Sequence, residues 1–518
     1  MSLNSGSGLV ADQTEIFRFL ADPATHHIDE PVIRIDTHGA VVFLAGRDVY
    51  KVKRAVRFPF MDFSTIAKRR AACENEVIVN RDNAPELYLG AIPITHCDTG
   101  LRFGGDPIDA VEWTVHLRRF DENATLDKIA ERGQLDLKTI RQLAHTMVSS
   151  HARAPNRNMT NAIGSLRRQI EETLASLAAV PELLGADAVA DLGLKLDAAF
   201  ARAAPLLRER EALGFVRRCH GDLHLRNIAL VSGKPILFDA IEFNDEFATC
   251  DVLYDLAFLL MDLWRRDLKP HANLLFNHYL WACDDEERQI KDLAIIPLFL
   301  CLRAAIRAKV SAALYGIEPK RQAELVEDAR CHFRAARLFL EPAGLHLIAI
   351  GGLSGTGKTT LAQALAAQVG KAPGAVHLRS DIERKNLYKV TELEPLPAEA
   401  YRNETNAETY ERLRHLSLLA LQAGASVIVD ALHRNTEERS ALAEIGRKVN
   451  VPLTGFWLEA PIDVRIERVA KRENDASDAN EAIVRQQAAT ETGVVEWQYL
   501  DASSGLAPLV REALAAIP

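Results

Sequence analysis

Strand-like runs open the chain: VIRI ending at Ile35, AVVFLAG from Ala40 and DVYKVKRAV from Asp48, with Gly46 at the turn between the last two. The alternation in VYKVK predicts a strand with one buried face. FSTIAKRRAACENEVIVNRDN, from Phe63, spaces its apolar residues as a helix does, and YLGAIPI and VEWTVHLRRF predict two further strands. Together they predict an antiparallel sheet with one helix. From about Leu126 to Leu340 the pattern turns helical, interrupted by HGDLHLRNIALVSGKPILFDAIEF, whose short apolar runs predict two small strands around a turn. EPAGL at Glu341 breaks the helical pattern, and HLIAIGGLSGTGKTTLAQALAAQVG predicts a strand, a glycine-rich turn and a helix. AVHLRSD, SVIVDAL and PLTGFWLEA then recur as short β-rich runs between helical stretches, the spacing that parallel βαβ units require.

Length and composition bound this picture. A chain of 518 residues has room for three or so compact units, and 48% hydrophobic with 26% charged residues matches an ordinary globular protein. Lys+Arg 62 against Asp+Glu 71 gives a net charge of −9, a surface that repels nucleic acid and anionic membranes. The seven cysteines are scattered singly and predict reduced thiols. MSLNSGSGLVADQTE lacks the order of a signal peptide and no run reaches the length of a membrane-spanning helix, so a cytoplasmic location is expected.

Residues 352–359, GLSGTGKT, satisfy G-x-x-x-x-G-K-[ST] between a predicted strand and a predicted helix. In such a loop Gly352, Ser354, Gly355, Thr356, Gly357 and Thr360 line the turn, whose backbone N–H groups and helix dipole receive phosphate. Lys358 reaches the terminal phosphates of ATP and Thr359 is placed to bind Mg²⁺, with Asp430 at the end of SVIVD as the second magnesium-shell residue. Asp381 and Arg384 in HLRSDIERK sit at the carboxyl end of the sheet. Asp381 is the candidate to contact or deprotonate an acceptor hydroxyl, or else it caps a helix. Arg465, Arg468 and Arg472 precede a polar break in RIERVAKRENDASDANEAIVRQQ. That pattern suits a lid whose arginines, Arg468 and Arg472 foremost, stabilise charge on a transferred phosphoryl group.

These motifs resemble P-loop small-molecule kinases of the gluconate kinase and chloramphenicol phosphotransferase kind. The resemblance covers the chain from about Leu345 to the end and rests on the phosphate loop, SDxxR, the VDA strand end and the SDA of the lid. Polynucleotide 5′-kinases share the plan, but 19 basic against 23 acidic residues give this part a charge of 19 − 23 = −4, which disfavours a nucleic-acid partner.

HGDLHLRN, from His220, offers His220, His224 and Asp222 to a metal, but no cysteine or further histidine follows at zinc spacing. Asp222 and Asn227 instead stand at the spacing of the kinase loop H-R-D-x-x-x-x-N, and Asp239 in FDAIEF stands where the D-F-G aspartate would. Upstream, VYKVK offers Lys51, with Lys53 on the same strand face, and the helix CENEVIVN offers Glu76 or Glu74 as its partner.

Residues of about 30–340 thereby resemble the aminoglycoside phosphotransferase family of the protein-kinase-like fold. The resemblance implies that Asp222 is the base, that Asn227 and Asp239 bind magnesium and that Lys51 holds ATP phosphates with Glu76 orienting it. It also implies that VEWTVHLRRF is the adenine hinge, that His220 holds the loop and that Asp255 buttresses it. The AGRD turn departs from the family by being shorter than the G-x-G-x-x-G loop. The expected fold is α/β and α+β: a bilobal protein-kinase-like domain over 1–340 (small lobe about 30–120, helical lobe about 121–340), then a P-loop α/β domain with a parallel sheet over 345–518. The expected function is a fused pair of ATP- and Mg²⁺-dependent kinases acting on hydroxyls of small molecules. Glu242, Asp245 and Glu246 would suit an amino-bearing acceptor. The competing expectations are one kinase regulated by the other as an ATP-binding switch, and a nucleic-acid 5′-hydroxyl kinase.

Overall fold

The computed structural model describes residues 10–58, 61–156, 161–315, 319–472, 475–489 and 492–518. The first residues of the N-terminal stretch and Glu473 and Asn474 of the lid stretch lie outside them. The chain forms two compact units, Met1–Ser165 with Arg210–Leu259, and Leu166–Glu209 with Leu260–Pro518.

The first unit is built on a six-stranded antiparallel sheet with spatial order Ile33–Asp36, Ala40–Ala45, Asp48–Lys53, Ala110–Arg118, Tyr88–Cys97, Gly100–Phe103. The period of two in VYKVK decides what each face holds. Val52 joins Val41, Phe43 and Ile94 in a cluster closed by Ile16 and Leu20 of the helix Thr14–Ala21. Lys51 and Lys53 therefore project to the opposite face, where the helix Ile66–Arg81 lies, started by the Thr65 side chain accepting from the Lys68 amide. Sequence patterning missed the strand Gly100–Phe103, half exposed and only four residues long, and the short helix Thr14–Ala21. The turn before VYKVK is a two-residue hairpin of Gly46 and Arg47, since Ala45 pairs with Asp48.

Below the sheet, Val216–Arg218 pairs with Thr249–Asp251, and Ile228–Val231 pairs with Lys234–Leu237 across Ser232 and Gly233. Both turn residues have positive φ, 49° and 75°, as the favoured two-residue hairpin turn demands. Asp251 is tied to the fully buried Arg210 by bonds of 2.6 and 2.8 Å, and the guanidinium lies 4.3 Å from the Phe215 ring centroid.

The second unit contains the helices Ile296–Tyr315 and Gln322–Phe339 and a five-stranded parallel sheet of order Val376–Arg379, Val427–Asp430, Leu347–Gly352, Leu453–Glu459, Gln498–Asp501. Leu347–Gly352 is central and wholly buried, as its run of apolar residues and glycines requires. The last strand, mostly exposed, carried no apolar pattern to betray it. In the same unit Arg412 donates to Glu286 Oε2 and Glu383 Oε2, both at 2.6 Å. The two Oε1 atoms are buried without a donor among the described residues, a surplus of negative charge that a proton on one acid removes. Burial, and then the neighbouring Glu286 carboxylate, hold Glu383 well above the ordinary glutamate range against the pull of Arg412. All seven cysteines are free thiols, and no helix among the described residues is long and apolar enough to cross a membrane.

Two stability outcomes follow. Asp251→Ala leaves Arg210 buried without its carboxylate and should cost about 3–5 kcal/mol in denaturant unfolding. For Glu383 the folded pKa exceeds the unfolded one, so stability is complete below the ordinary glutamate pKa and falls as pH rises toward the folded value, because the folded chain then binds more protons. Glu383→Gln should flatten that slope in melting curves between about pH 5 and pH 8.

Candidate active sites

In the first unit the two strand lysines and one helix carboxylate converge. Lys51 Nζ lies 2.8 Å from Glu76 Oε1 and 2.5 Å from Asp239 Oδ1, while Lys53 donates to Glu76 Oε2 and to Glu242. Both lysines thus meet Glu76, which has no exposed surface. Glu74 turns outward to pair with Arg70 at 2.9 Å. Burial pulls the Lys51 pKa down, but Asp239 and then Glu76 more than reverse this and hold it well above the ordinary lysine value. Burial likewise pushes Asp239 up, and Lys51 followed by Lys53 brings it below the usual carboxylate range. Asp239 has φ 61°, a left-handed conformation that aspartate tolerates, and its amide donates to the Tyr88 hydroxyl at 3.1 Å.

Asp222 and Asn227 are brought together by the short 3₁₀ turn Leu225–Asn227, the Asn227 amide donating to Asp222 O at 2.9 Å and to Asp222 Oδ2 at 3.1 Å. Asp255 receives the amides of His220 and Gly221, at 3.3 and 2.9 Å, and His151 lies 3.2 Å from it. His220 Nε2 bonds Phe238 O at 2.9 Å, which links the loop to the Asp239 turn. Gly221 has φ 84°, and a Cβ there would meet Ala248 Cα at 3.1 Å. Among the described residues His220 and His224 join no common group of metal-ligating side chains. The strand VEWTVHLR is an inner strand of the sheet and ends at Arg118, so the connection to the helices is Arg119–Thr125. The acidic residues after Asp239 are engaged within the fold: Glu242 with Lys53, Asp245 with Arg218 and Glu246 with Ser165.

In the second unit the loop 353–357 leaves the central strand and enters the helix Lys358–Ala366. Gly352, Gly355 and Gly357 have φ of 138°, 85° and 94°. A Cβ on Gly355 would come within 2.6 Å of Arg465 O, so both conformation and space exclude a side chain there. Thr356 turns its hydroxyl to Leu353 O at 2.8 Å, Lys358 Nζ rests 3.2 Å from the same carbonyl, and Thr360 is exposed on the first helical turn. Thr359 donates to Asp430 Oδ2 at 2.6 Å. Burial raises the Asp430 pKa, yet the neighbouring His377 and then the charges of Arg379 and Lys358 leave it well below the usual carboxylate range.

The three arginines separate in role. Arg465 donates to Ser354 O at 2.9 Å and Arg468 to Thr356 O at 3.2 Å and Ala502 O at 2.7 Å, so both grip the phosphate loop. Arg472 contacts Asp475 at 3.8 Å, and its charge helps lower the Lys358 pKa after the larger effect of burial. Asp381 begins the helix Ser380–Tyr388, accepts no hydrogen bond among the described residues and opposes that lowering at Lys358. Two site neighbours escaped sequence reasoning: Gln487, whose Oε1 accepts the Ser354 amide at 2.8 Å, and His377, with Nε2 3.4 Å from Asp430. Gln487 belongs to no motif, and His377 was hidden inside a stretch read for Asp381.

Residues 347–492 match the family model described as AAA domain. An uncharacterized protein of Mycobacterium tuberculosis is 29% identical over 489 residues, 91% of this chain and 93% of the relative. A gluconokinase structure from Sinorhizobium meliloti is similar over 33% of this chain and 90% of its own, with 26% identity and a TM-score of 0.24. An ethanolamine kinase structure from Plasmodium vivax covers 61% of this chain and 86% of its own, with 14% identity and a TM-score of 0.38. The segment that holds the phosphate loop and four of the five strands of the parallel sheet is thus similar to the AAA domain family.

Proposed function

We propose that the chain is a bifunctional ATP-dependent phosphotransferase, each part transferring the γ-phosphoryl group of MgATP to a hydroxyl of a small molecule. The observation that carries the reading is the same convergence in both parts, a largely buried lysine beside an acidic residue suited to magnesium: Lys51 with Asp239, and Lys358 beside the bonded pair Thr359 and Asp430. Asn227 and Asp239 in one site, and Thr359 and Asp430 in the other, are the hard oxygen donors that Mg²⁺ prefers. When bound, the ion neutralises charge on the phosphates.

The remaining roles fall to the chain's own groups. Lys51, held by Glu76, receives phosphate oxygens, and Asp222, kept in place by Asn227, accepts the proton of the acceptor hydroxyl. In the second site the amides of the phosphate loop and Lys358 take the phosphates, Arg472 is the arginine least committed to the loop, and Asp381 accepts the hydroxyl proton. The acceptors are sugars, amino sugars or related metabolites or antibiotics. The internal engagement of Glu242, Asp245 and Glu246 gives no support to an amino-group pocket built from them.

ATP consumption over a panel of sugars, amino sugars, aminoglycosides and nucleosides tests the reading. Asp222→Ala should lower one activity by about 10²–10⁴-fold and leave the other intact, and Lys358→Ala should do the converse. Loss of both activities in either variant points instead to one kinase switched by nucleotide at the other site.

A further inference from the structure

Val376–Arg379 is an edge strand of the parallel sheet, and an edge strand exposes a row of unpaired backbone groups. Here that row is closed by side chains of the helix Lys269–Ala282, which precedes the P-loop domain in the chain. Asn277 Oδ1 accepts the His377 amide at 2.7 Å, and Trp281 Nε1 donates to His377 O at 2.9 Å. Asn273 and Asn277 donate to Ala375 O at 3.0 and 3.2 Å. Inward, the same strand keeps its parallel pairing with Val427–Asp430, so the strand is held along both edges.

The strand leads directly into the helix that carries Asp381. Trp281 packs with Ile382 of that helix and with Ala476 beyond the arginine-bearing helix, and its ring lies 5.8 Å from the Arg379 guanidinium. Arg379 in turn bonds Asp475 at 3.2 Å, and the His377 ring faces Asp430. One indole thus meets the strand, the acceptor-side helix and the segment after Arg472. All three polar anchors are almost wholly buried, so none of these bonds competes with water.

We infer that Asn277 and Trp281 are positioning residues for the P-loop site: they fix the strand Val376–Arg379 and the Asp381 helix, so the acceptor side of the site is completed by a segment outside the P-loop domain. The term acceptor side rests on the phosphotransfer reading above. The edge closure itself does not.

Hydrogen exchange and kinetics on the full chain test the inference together. In Asn277→Ala the His377 amide should exchange about tenfold faster, and residues 376–388 should loosen, while the helix 358–366 keeps its protection. Trp281→Phe, which keeps the ring against Ile382 and Ala476 but loses the indole N–H, should loosen the same segment with little change in melting temperature. In either variant the KM for the hydroxyl compound giving the highest Lys358-dependent turnover should rise about tenfold, with the KM for MgATP and the Asp222-dependent activity unchanged. Unchanged exchange across 376–388 in both variants overturns the inference, as does faster exchange with unaltered KM and kcat. A wild-type chain without Lys358-dependent turnover contradicts the phosphotransfer reading instead, and exchange at His377 then decides the positioning by itself.

Discussion

Glu76 is buried with a lysine ammonium against each of its carboxylate oxygens, and the first unit is arranged so that this charge is never left alone. A buried carboxylate without partners costs several kcal/mol, and so does a buried ammonium. Two lysines on one strand face carry more positive charge than one glutamate can match, and Asp239 and Glu242 give each lysine a second carboxylate from the segment below. The result is an open chain of alternating charge, Asp239–Lys51–Glu76–Lys53–Glu242, that joins the sheet, the helix Ile66–Arg81 and the turn after Leu237.

The second unit meets a parallel demand from its backbone groups. Its phosphate loop exposes N–H groups that only glycine conformations can turn inward, and the carbonyls left behind are taken up by Arg465 and Arg468. Its edge strand is closed by two asparagines and an indole. The polar groups that a compact α/β domain would leave unsatisfied are thus met by residues far away in sequence, some of them more than a hundred positions upstream.

This distance explains what was legible in the sequence. The phosphate loop and its strand and helix are local, and so is the spacing of Asp222 and Asn227. Each could be recognised from contiguous residues. The choice between Glu74 and Glu76 could not, because it depends on how the helix is rotated against the sheet. Arg70 takes Glu74 on the exposed side and leaves Glu76 to the lysines. Lys51 and Lys53 are not separable from sequence for a related reason: a period of two puts both on one face, and both reach the same glutamate. Trp281 and Asn277 read as ordinary core residues of a helix, since nothing near them announces that a strand edge a hundred residues later needs their polar atoms. The strands Gly100–Phe103 and Gln498–Asp501 lack the buried alternation that would mark them.

The central claim is that one chain holds two separate MgATP sites. Calorimetric titration of the full chain with a non-hydrolysable MgATP analogue tests it most directly, with Asp239→Ala and Lys358→Ala as partners. The account predicts two sites per wild-type chain and one in each variant, the site that survives differing between them. A single wild-type site, abolished by either substitution, would contradict it.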